Sequence, residues 1–507
     1  QLGETGNIRG TGEFTVERYV PQSNRAFRYI SSPVNTTGTI KENLQEGQNN
    51  PDPQTNINNQ SNLGTHITGS KTGANGFDAT ETGNPSMFDY DESMVDPDWV
   101  PIPNTNNKKL EVGESYALLI RGDRSVDLSS NSSLGPATKL RFTGELVAGD
   151  QPLADSLLTD FVSGMTEREY SLIANPYQSV VDMKALLQSS DATNLGTTIY
   201  VYDPNLGTQG GYATVDVSAA SPSATPSGST ATENILPNQA VFVETTAASP
   251  SLTFKETYKN PSAGLVDTFS ATQNLNAGIN INLNRQPGDI LVDGVRLDFD
   301  DSYNNAVDYN DAKKFWNFDE SVSINRNNAD LVIEKRAFPE ENDTIQLYVG
   351  NYRTNDYIWD INLKQLNREA VLYDAYKDQN FPLNTNASTN IAFTVDENLP
   401  STVDPYRFLI VFKKETLNND NFNRPVISIY PNPVNNGEFN IKGLPEIFGD
   451  QEVNLTIYDL LGKQVYQKTL NSVKPTEVIN VQKLSTGSYI LELKDGNNIF
   501  SYNLLVK

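Results

Sequence analysis

The stretch ISIYPNPVNNG at 427–437 follows a polar, turn-prone run, ETLNNDNFNRP at 415–425, in a chain of 507 residues. A short apolar alternation, two closely spaced prolines and a glycine mark the start of a new module, with a linker over 416–425 before it. Beyond it the runs VISIYP, EFNIKG, VNLTIYD, KQVYQKTL, TEVINV, SYILELK and IFSYNLLVK read as strands. Phe439 and Ile441, then Val453, Leu455 and Ile457, then Tyr489, Leu491 and Leu493, then Tyr502, Leu504 and Val506 fall on alternate positions. Side chains of a strand alternate between its faces, so these residues share one buried face. DLLG at 459–462, STGS at 485–488 and KDGNN at 494–498 supply turns, the last because Gly496 tolerates positive φ. Seven short antiparallel strands in about 80 residues predict a small Ig-like β-sandwich over 426–507.

The rest of the chain is too long for one core, and roughly three or four domains of ~100–200 residues are expected. Its 38 basic and 63 acidic residues give a formal charge of −25. That balance provides no basic face for phosphate backbones and sets nucleic acid aside as a partner. It also provides no Lys/Arg cluster along the chain for an anionic membrane surface, while divalent cations are compatible with it. Hydrophobic residues make up only 37 %, whereas Asn, Thr, Ser, Asp, Gly, Tyr and Phe abound, a mixture that favours sheet and turns over helical bundles. There is no cysteine, so disulfides, thiolate catalysis and Cys-zinc sites are excluded. No apolar run approaches the ~18 residues that span a bilayer. Gln1 opens no positively charged, apolar leader, which implies either a leader already removed or a longer parent chain.

Helical periodicity is scarce. The best case is SVVDMKALLQSS at 179–190, with Val180, Met183, Leu186 and Leu187 on one stripe. Elsewhere the period is two, as in EFTVERYV and TIQLYVGNY. Two parts of the chain parallel each other. AFRYISSPV at 26–34 matches EYSLIANPY at 169–177, and LEVGESYALLIRG at 110–122 matches ILPNQAVFVETT at 235–246. Each second element precedes a short strand, KLRFTGEL or SLTFKETY. Domains are therefore expected at 1–165 and 166–262, the two internal repeats, and at 263–415, a third β-rich region with VRLDFD, LVIEKRAF and YRFLIVFKK. The first repeat carries a long Asn/Gly/Pro-rich insertion over 43–77. The second carries VSAASPSATPSGSTATEN, a low-complexity stretch expected to be mobile. The expected class is all-β, several tandem β-rich domains ending in a small seven-stranded Ig-like β-sandwich.

Four blocks of the last domain, SIYPNPVNNGEFNI, LTIYDLLGKQVYQ, LSTGSYILEL and NLLVK, together resemble the type A C-terminal sorting domain of type IX secretion cargo proteins of Bacteroidetes. The resemblance implies a folded signal that takes its passenger from the periplasm across the outer membrane through a large translocon barrel. It also implies recognition by an outer-membrane shuttle barrel, then cleavage or attachment to a surface glycolipid, leaving the passenger extracellular or on the cell surface. On matching positions Pro431, Asn432, Pro433, Gly437, Gly462, Gly487, Tyr489 and Lys507 carry the signal. Read from residues alone, the prolines rigidify the approach to the first strand, Gly462 and Gly487 close turns, and Tyr489 belongs to the core. Upstream, VERYVPQSNRAFRYISSPV, GTHITGS, GNPSMFDYDES and LIANPYQS are similar to the region before the sorting domain in adhesin-like and gliding-associated surface proteins. That similarity implies an adhesive surface protein and brings no catalytic motif.

The chemistry-bearing residues are few. His66, the one histidine, has no G-x-S-x-G elbow near it and reads as a hydrogen-bonded loop residue, not a catalytic base. RGD at 121–123 continues the strand YALLI and reads as a strand-end turn. Carboxylate pairs for glycoside hydrolysis are a property of the fold, so a secreted glycan hydrolase stands as the rival class, although no motif points to an enzyme. Asp298, Asp300, Asp301, Asp308 and Asp311 supply hard oxygen ligands at short spacing, as Ca²⁺ requires, but they miss the EF-hand template and its closing Glu. Tyr352, Tyr357 and Trp359 could stack on sugars, though strand spacing places Tyr357 and Trp359 in a core. The expected protein is a secreted surface adhesin whose last domain is its export address.

Overall fold

The computed structural model describes residues 12–94, 97–129, 134–161, 169–263, 277–366, 368–385, 387–413, 428–434, 437–442, 444, 448, 452–459, 463–471, 474, 476–494 and 499–507. Gly462, Gly496 and the linker at 416–425 lie outside them. The chain divides into two compact units, 1–415 and 416–507. Both are built from strands, and the helices are short. Ile40–Leu44 starts from a capping box in which Thr39 Oγ1 accepts from the Glu42 amide and Glu42 Oε2 accepts from the Thr39 amide at 2.7 Å. Met183–Leu187 is capped by the Asp182 carboxylate, which accepts from the Ala185 amide. It is shorter than the sequence stripe because Val181 and Asp182 pair with Asn234 and Ile235 as strand, yet Val180, Met183, Leu186 and Leu187 are all buried.

Two sheets of the larger unit have the same order. In the first, Ala26–Ser31, Ser115–Ile120, Met87–Asp91 and Asp98–Pro101 lie side by side; in the second, Tyr170–Ala174, Ala240–Thr245, Leu195–Asp203 and Gly211–Asp216 do so. In each, the first strand is followed by a short strand and one short helix before the chain returns. Each has its own apolar cluster, one with Val34, Leu118 and Phe142, the other with Ile173, Val243 and Phe254.

The two sheets meet through rings. Tyr29 packs against Trp99 at 5.0 Å, Tyr202 at 5.2 Å and Phe242 at 5.6 Å, and its hydroxyl shares a 2.5 Å hydrogen bond with that of Tyr212. Phe315 arrives from the third region to touch Tyr170, Tyr200, Tyr212 and Phe242 at 4.4–5.4 Å. Edge-to-face and tilted contacts of this kind add to the area they bury. One aromatic cluster thus joins all three stretches of the unit.

The third region is a single 11-stranded sheet. It curls over itself, since the Trp359 and Phe408 rings meet at 5.4 Å although their strands stand several places apart in the sheet. Ile290–Phe299 and Ala329–Arg336 pair in parallel, and the other pairings described for this sheet are antiparallel. Tyr357 and Trp359 are both buried in its core.

The low-complexity run at 216–234 differs from expectation. Ala224 and Thr225 form a buried strand on Val215 and Thr214; Lys184 donates to the Ala219 and Ala220 carbonyls, and Asn282 and Arg296 bond Ser227 and Ser223. Polar residues with no core of their own are held here by side chains of neighbouring strands, which composition does not reveal.

The smaller unit is a two-sheet sandwich whose strands are β1 (Ser428–Tyr430), β2 (Glu438–Lys442), β3 (Val453–Asp459), β4 (Gln464–Leu470), β5 (Thr476–Asn480), β6 (Gly487–Lys494) and β7 (Ile499–Val506). One sheet is β1-β2-β5 and the other β4-β3-β6-β7. This is an Ig-like arrangement in which the fourth strand joins the β3 sheet instead of pairing with β5. Phe439, Ile441, Val453, Leu455, Ile457, Leu491, Leu493, Leu504 and Val506 fill the space between, as the alternation requires.

Phe242→Ala removes a ring that touches all three stretches, and is expected to destabilise the larger unit by about 3–5 kcal/mol, as large aromatic truncations in cores do. The melting temperature by calorimetry should fall by several degrees, with the transition of the smaller unit unmoved.

Candidate functional site

Among the described motif residues, those around Asn432 and Pro433 meet the last residues of the chain at one edge of the sandwich. After β1 the chain crosses to the second sheet, where Val434 pairs in parallel with Val506. The Val434 amide donates to the Leu505 carbonyl at 2.7 Å, the Lys507 amide donates to the Val434 carbonyl at 2.9 Å, and Asn432 Oδ1 accepts from the Leu505 amide at 2.9 Å. Pro431 and Asn432 are exposed and Pro433 is half-buried; having no N–H, the prolines ask nothing of the edge they flank. YPNPV and the terminal LLVK, far apart in sequence, are therefore neighbours, with Pro431, Asn432, Leu505 and Lys507 exposed and Val434, Leu504 and Val506 buried.

Gly437 has φ +71°, and a Cβ there would meet Gln482 Cγ at 2.4 Å, so glycine is required. Gly487 behaves differently from the expected turn residue. It is the first residue of β6, opposite Val506, and a Cβ would find only the Tyr489 ring at 3.6 Å. Tyr489 lies half-buried against the core, and its hydroxyl donates to the Ser485 carbonyl at 2.7 Å. A tyrosine near the start of this strand reaching back to the preceding corner is a recurrent lock of Ig-like sandwiches. Its spacing, STGSY, was visible in the sequence; its role as a lock was not.

The acidic segment of the larger unit spends its carboxylates internally. Asp298 pairs with Arg296 at 3.1 Å. Asp300 accepts from the amide and hydroxyl of Ser302, Asp308 from the amide of Asn310, and Asp311 from the amides of Asp308 and Lys335. Asp301 is exposed. Among the described residues no three acidic or histidine side chains gather at a spacing that would hold a metal ion.

His66 is fully buried, with Nδ1 at 3.4 Å from Asp78 Oδ2. Asp78 is the centre of the polar insertion. It accepts two bonds from the buried Arg124 guanidinium at 2.8 and 3.0 Å, and others from the Gln45 side chain and the Asn50 and Ile67 amides. Burial pushes this carboxyl up, but the neighbouring His66 ring and the hydrogen-bonded Arg124 guanidinium outweigh it and hold it below the usual carboxylate range. Arg124 follows RGD directly. Asp123 itself is 2 % exposed, and its carboxylate caps the Ser125 and Asn62 amides, so the triplet is a packed turn.

Exposed rings do exist, at positions the sequence reading passed over. Trp316 and Tyr406, each 46 % exposed, flank Tyr348 at 5.3 and 5.6 Å, with Phe318 64 % exposed close by in sequence. Phe318 is tied into the same region by the Arg353 side chain, which donates to its carbonyl. Tyr348 shows how the row could be anticipated: it is the outward member of TIQLYVG, whose inward partners are Ile345, Leu347 and Val349.

Residues 428–507 match the family of secretion system C-terminal sorting domains. The match supports a type IX secretion cargo, exported across the outer membrane to the cell surface or the extracellular space through interaction with that secretion machinery. No curated protein sequence matches the chain. A solved structure described as a biofilm associated protein, BSP domain, is aligned over 100 % of this chain and 99 % of its own at 9 % identity, with a TM-score of 0.13, too low to carry an argument.

Gly437→Ala is expected to destabilise the sandwich by about 1–2 kcal/mol from the left-handed backbone alone, read as a lowered urea midpoint, while Gly487→Ala leaves it unchanged. Addition of EDTA should leave the melting temperature of the larger unit where it was.

Proposed function

We propose that the chain is an adhesin-like surface protein of Bacteroidetes without enzymatic activity, exported by its C-terminal sandwich and binding surface glycans through its larger unit. The sandwich is addressed to the type IX translocon barrel and its outer-membrane shuttle barrel by the assembled edge of Pro431, Asn432, Pro433 and Lys507, with Gly437 and Tyr489 shaping the fold that presents them. The upstream segments similar to those of gliding-associated proteins favour a display role at the cell surface. The observation that carries the adhesive reading is the pair of exposed rings Trp316 and Tyr406 on either side of the half-buried Tyr348. Soluble monomers seldom leave large rings together in water, and such patches mark interaction sites. Ring faces suit the C–H faces of sugars, whose hydroxyls stay solvated at the rim.

Deleting 428–507 is expected to trap the passenger in the periplasm, seen by cell fractionation; normal surface display of the truncated chain would refute the export role. On a glycan array the purified chain should bind intact glycans without shortening them. Trp316→Ala with Tyr406→Ala should cut that signal about tenfold or more, the loss of at least ~1.4 kcal/mol; release of sugar fragments would instead make the chain a hydrolase.

A further inference from the structure

Between the two repeat sheets lies a cavity of about 420 Å³, within the size range of small-molecule sites. Its walls include Arg18, Tyr19, Arg28, Asp203 and Asn238. In a chain with a net charge of −25, two arginines and one carboxylate in a single cavity reverse the prevailing sign.

Arg28 is half-buried, and burial lowers its guanidinium to about 10. Its hydrogen bonds go to the Ala26 carbonyl and the Ser23 hydroxyl, both neutral. Asp203, the acid that acts on it, is already engaged, accepting from the Asn205 amide at 2.9 Å and the Ser229 hydroxyl at 2.6 Å, and Arg18 acts on it with like charge. Those neutral donors leave the charge of Asp203 in place, so it offsets the buried guanidinium in part without closing an ion pair, and an anion in the cavity would complete the compensation.

Asn238 supplies the complementary need. It is 5 % exposed with φ +64°, its amide donates to the Ser31 carbonyl at 3.2 Å, and its Oδ1 is buried without a hydrogen-bond partner. A buried acceptor left unpaired costs about 1–3 kcal/mol, and a ligand hydroxyl would satisfy it. Tyr19, 59 % exposed, adds a ring face at the mouth.

We propose that this cavity binds an acidic sugar, a uronic acid residue of a glycan, with its carboxylate on the Arg28 guanidinium and a hydroxyl donating to Asn238 Oδ1. A bare inorganic anion would leave Asn238 unsatisfied, and a neutral sugar would leave Arg28 so. Among the described residues Asp203 is the only carboxylate lining the cavity, so the role proposed for it is binding and not glycosidic cleavage by an acid pair. The inference deepens the adhesive role proposed above and rests on it only for the source of the ligand.

Isothermal titration calorimetry of the full chain with digalacturonate, galactobiose and sodium sulfate tests it. Digalacturonate should bind at one site, about tenfold or more tighter than either of the others, and salt should weaken it. Arg28→Met should abolish that binding while leaving the melting temperature unchanged or raised, because an unpaired charge is replaced by a chain of similar length. Asn238→Asp, which puts a negative charge into the cavity, should abolish it too. Equal affinity for galactobiose or sulfate, or full binding by folded Arg28→Met, would overturn the proposal. Persistence of neutral-glycan binding through Trp316 and Tyr406 would keep that failure separate from a failure of the adhesive reading.

Discussion

Tyr29, Tyr212, Phe242 and Phe315 bring rings from three separate stretches of chain into mutual contact, and the larger unit depends on that meeting. A sheet with one apolar face must cover it. Each repeat covers one face with its own apolar cluster and turns an aromatic face toward the other, so neither is complete alone. The short tyrosine-to-tyrosine hydrogen bond matters for the same reason: hydroxyls carried into such an interface need partners, and Tyr29 and Tyr212 satisfy each other. The cavity with Arg28 lies beside these rings, with Tyr29 and Tyr202 in its wall.

Charge explains how so polar a chain stays ordered. Arg124 with Asp78, Arg407 with Asp374, Lys314 with Asp293 and Arg285 with Glu320 are pairs sunk into the larger unit. Buried pairs of this kind add little net stability over apolar residues, but breaking one leaves an uncompensated charge, so they dictate where polar segments dock. The insertion at 43–77 has few apolar residues and is organised around Asp78 by Arg124, Gln45 and backbone amides. Arg407 does the same elsewhere, holding Asp374 and two backbone carbonyls beside the Phe408 ring. Against that pattern Arg28 differs: its hydrogen bonds go to neutral acceptors, and Asp203 acts on it without closing an ion pair.

The sorting domain illustrates why an address at the end of a chain is a folded one. Its most distinctive residues lie at its two ends, and only the parallel pairing of Val434 with Val506 makes them neighbours. Gly437 and Tyr489 act on the surface indirectly, one through a backbone shape closed to other residues and one through a lock between strand and corner.

Period-two alternation and turn residues made the all-β class, the seven strands of the last domain and their inward faces legible, because facing and turning are local properties of a strand. Phe439, Leu455 and Leu491 were in the core from their spacing alone. Trp359 was likewise assigned inward, whereas Gly487 was misread as a turn glycine, since glycine in a strand and glycine in a turn look alike until φ is known. The partner of each polar side chain was beyond reach: that Arg124 serves Asp78, that Asp311 is spent on backbone amides, that Ser223 and Ser227 are pinned. Apart from the Asp308 amide near Asp311, those partners lie tens of positions away, and nothing in local composition encodes them. The sequence by itself determined which side of each strand is apolar and that the chain ends in an address. Only the tertiary structure decided which strands face each other, and with that which charges are neutralised and which cavity keeps an arginine waiting.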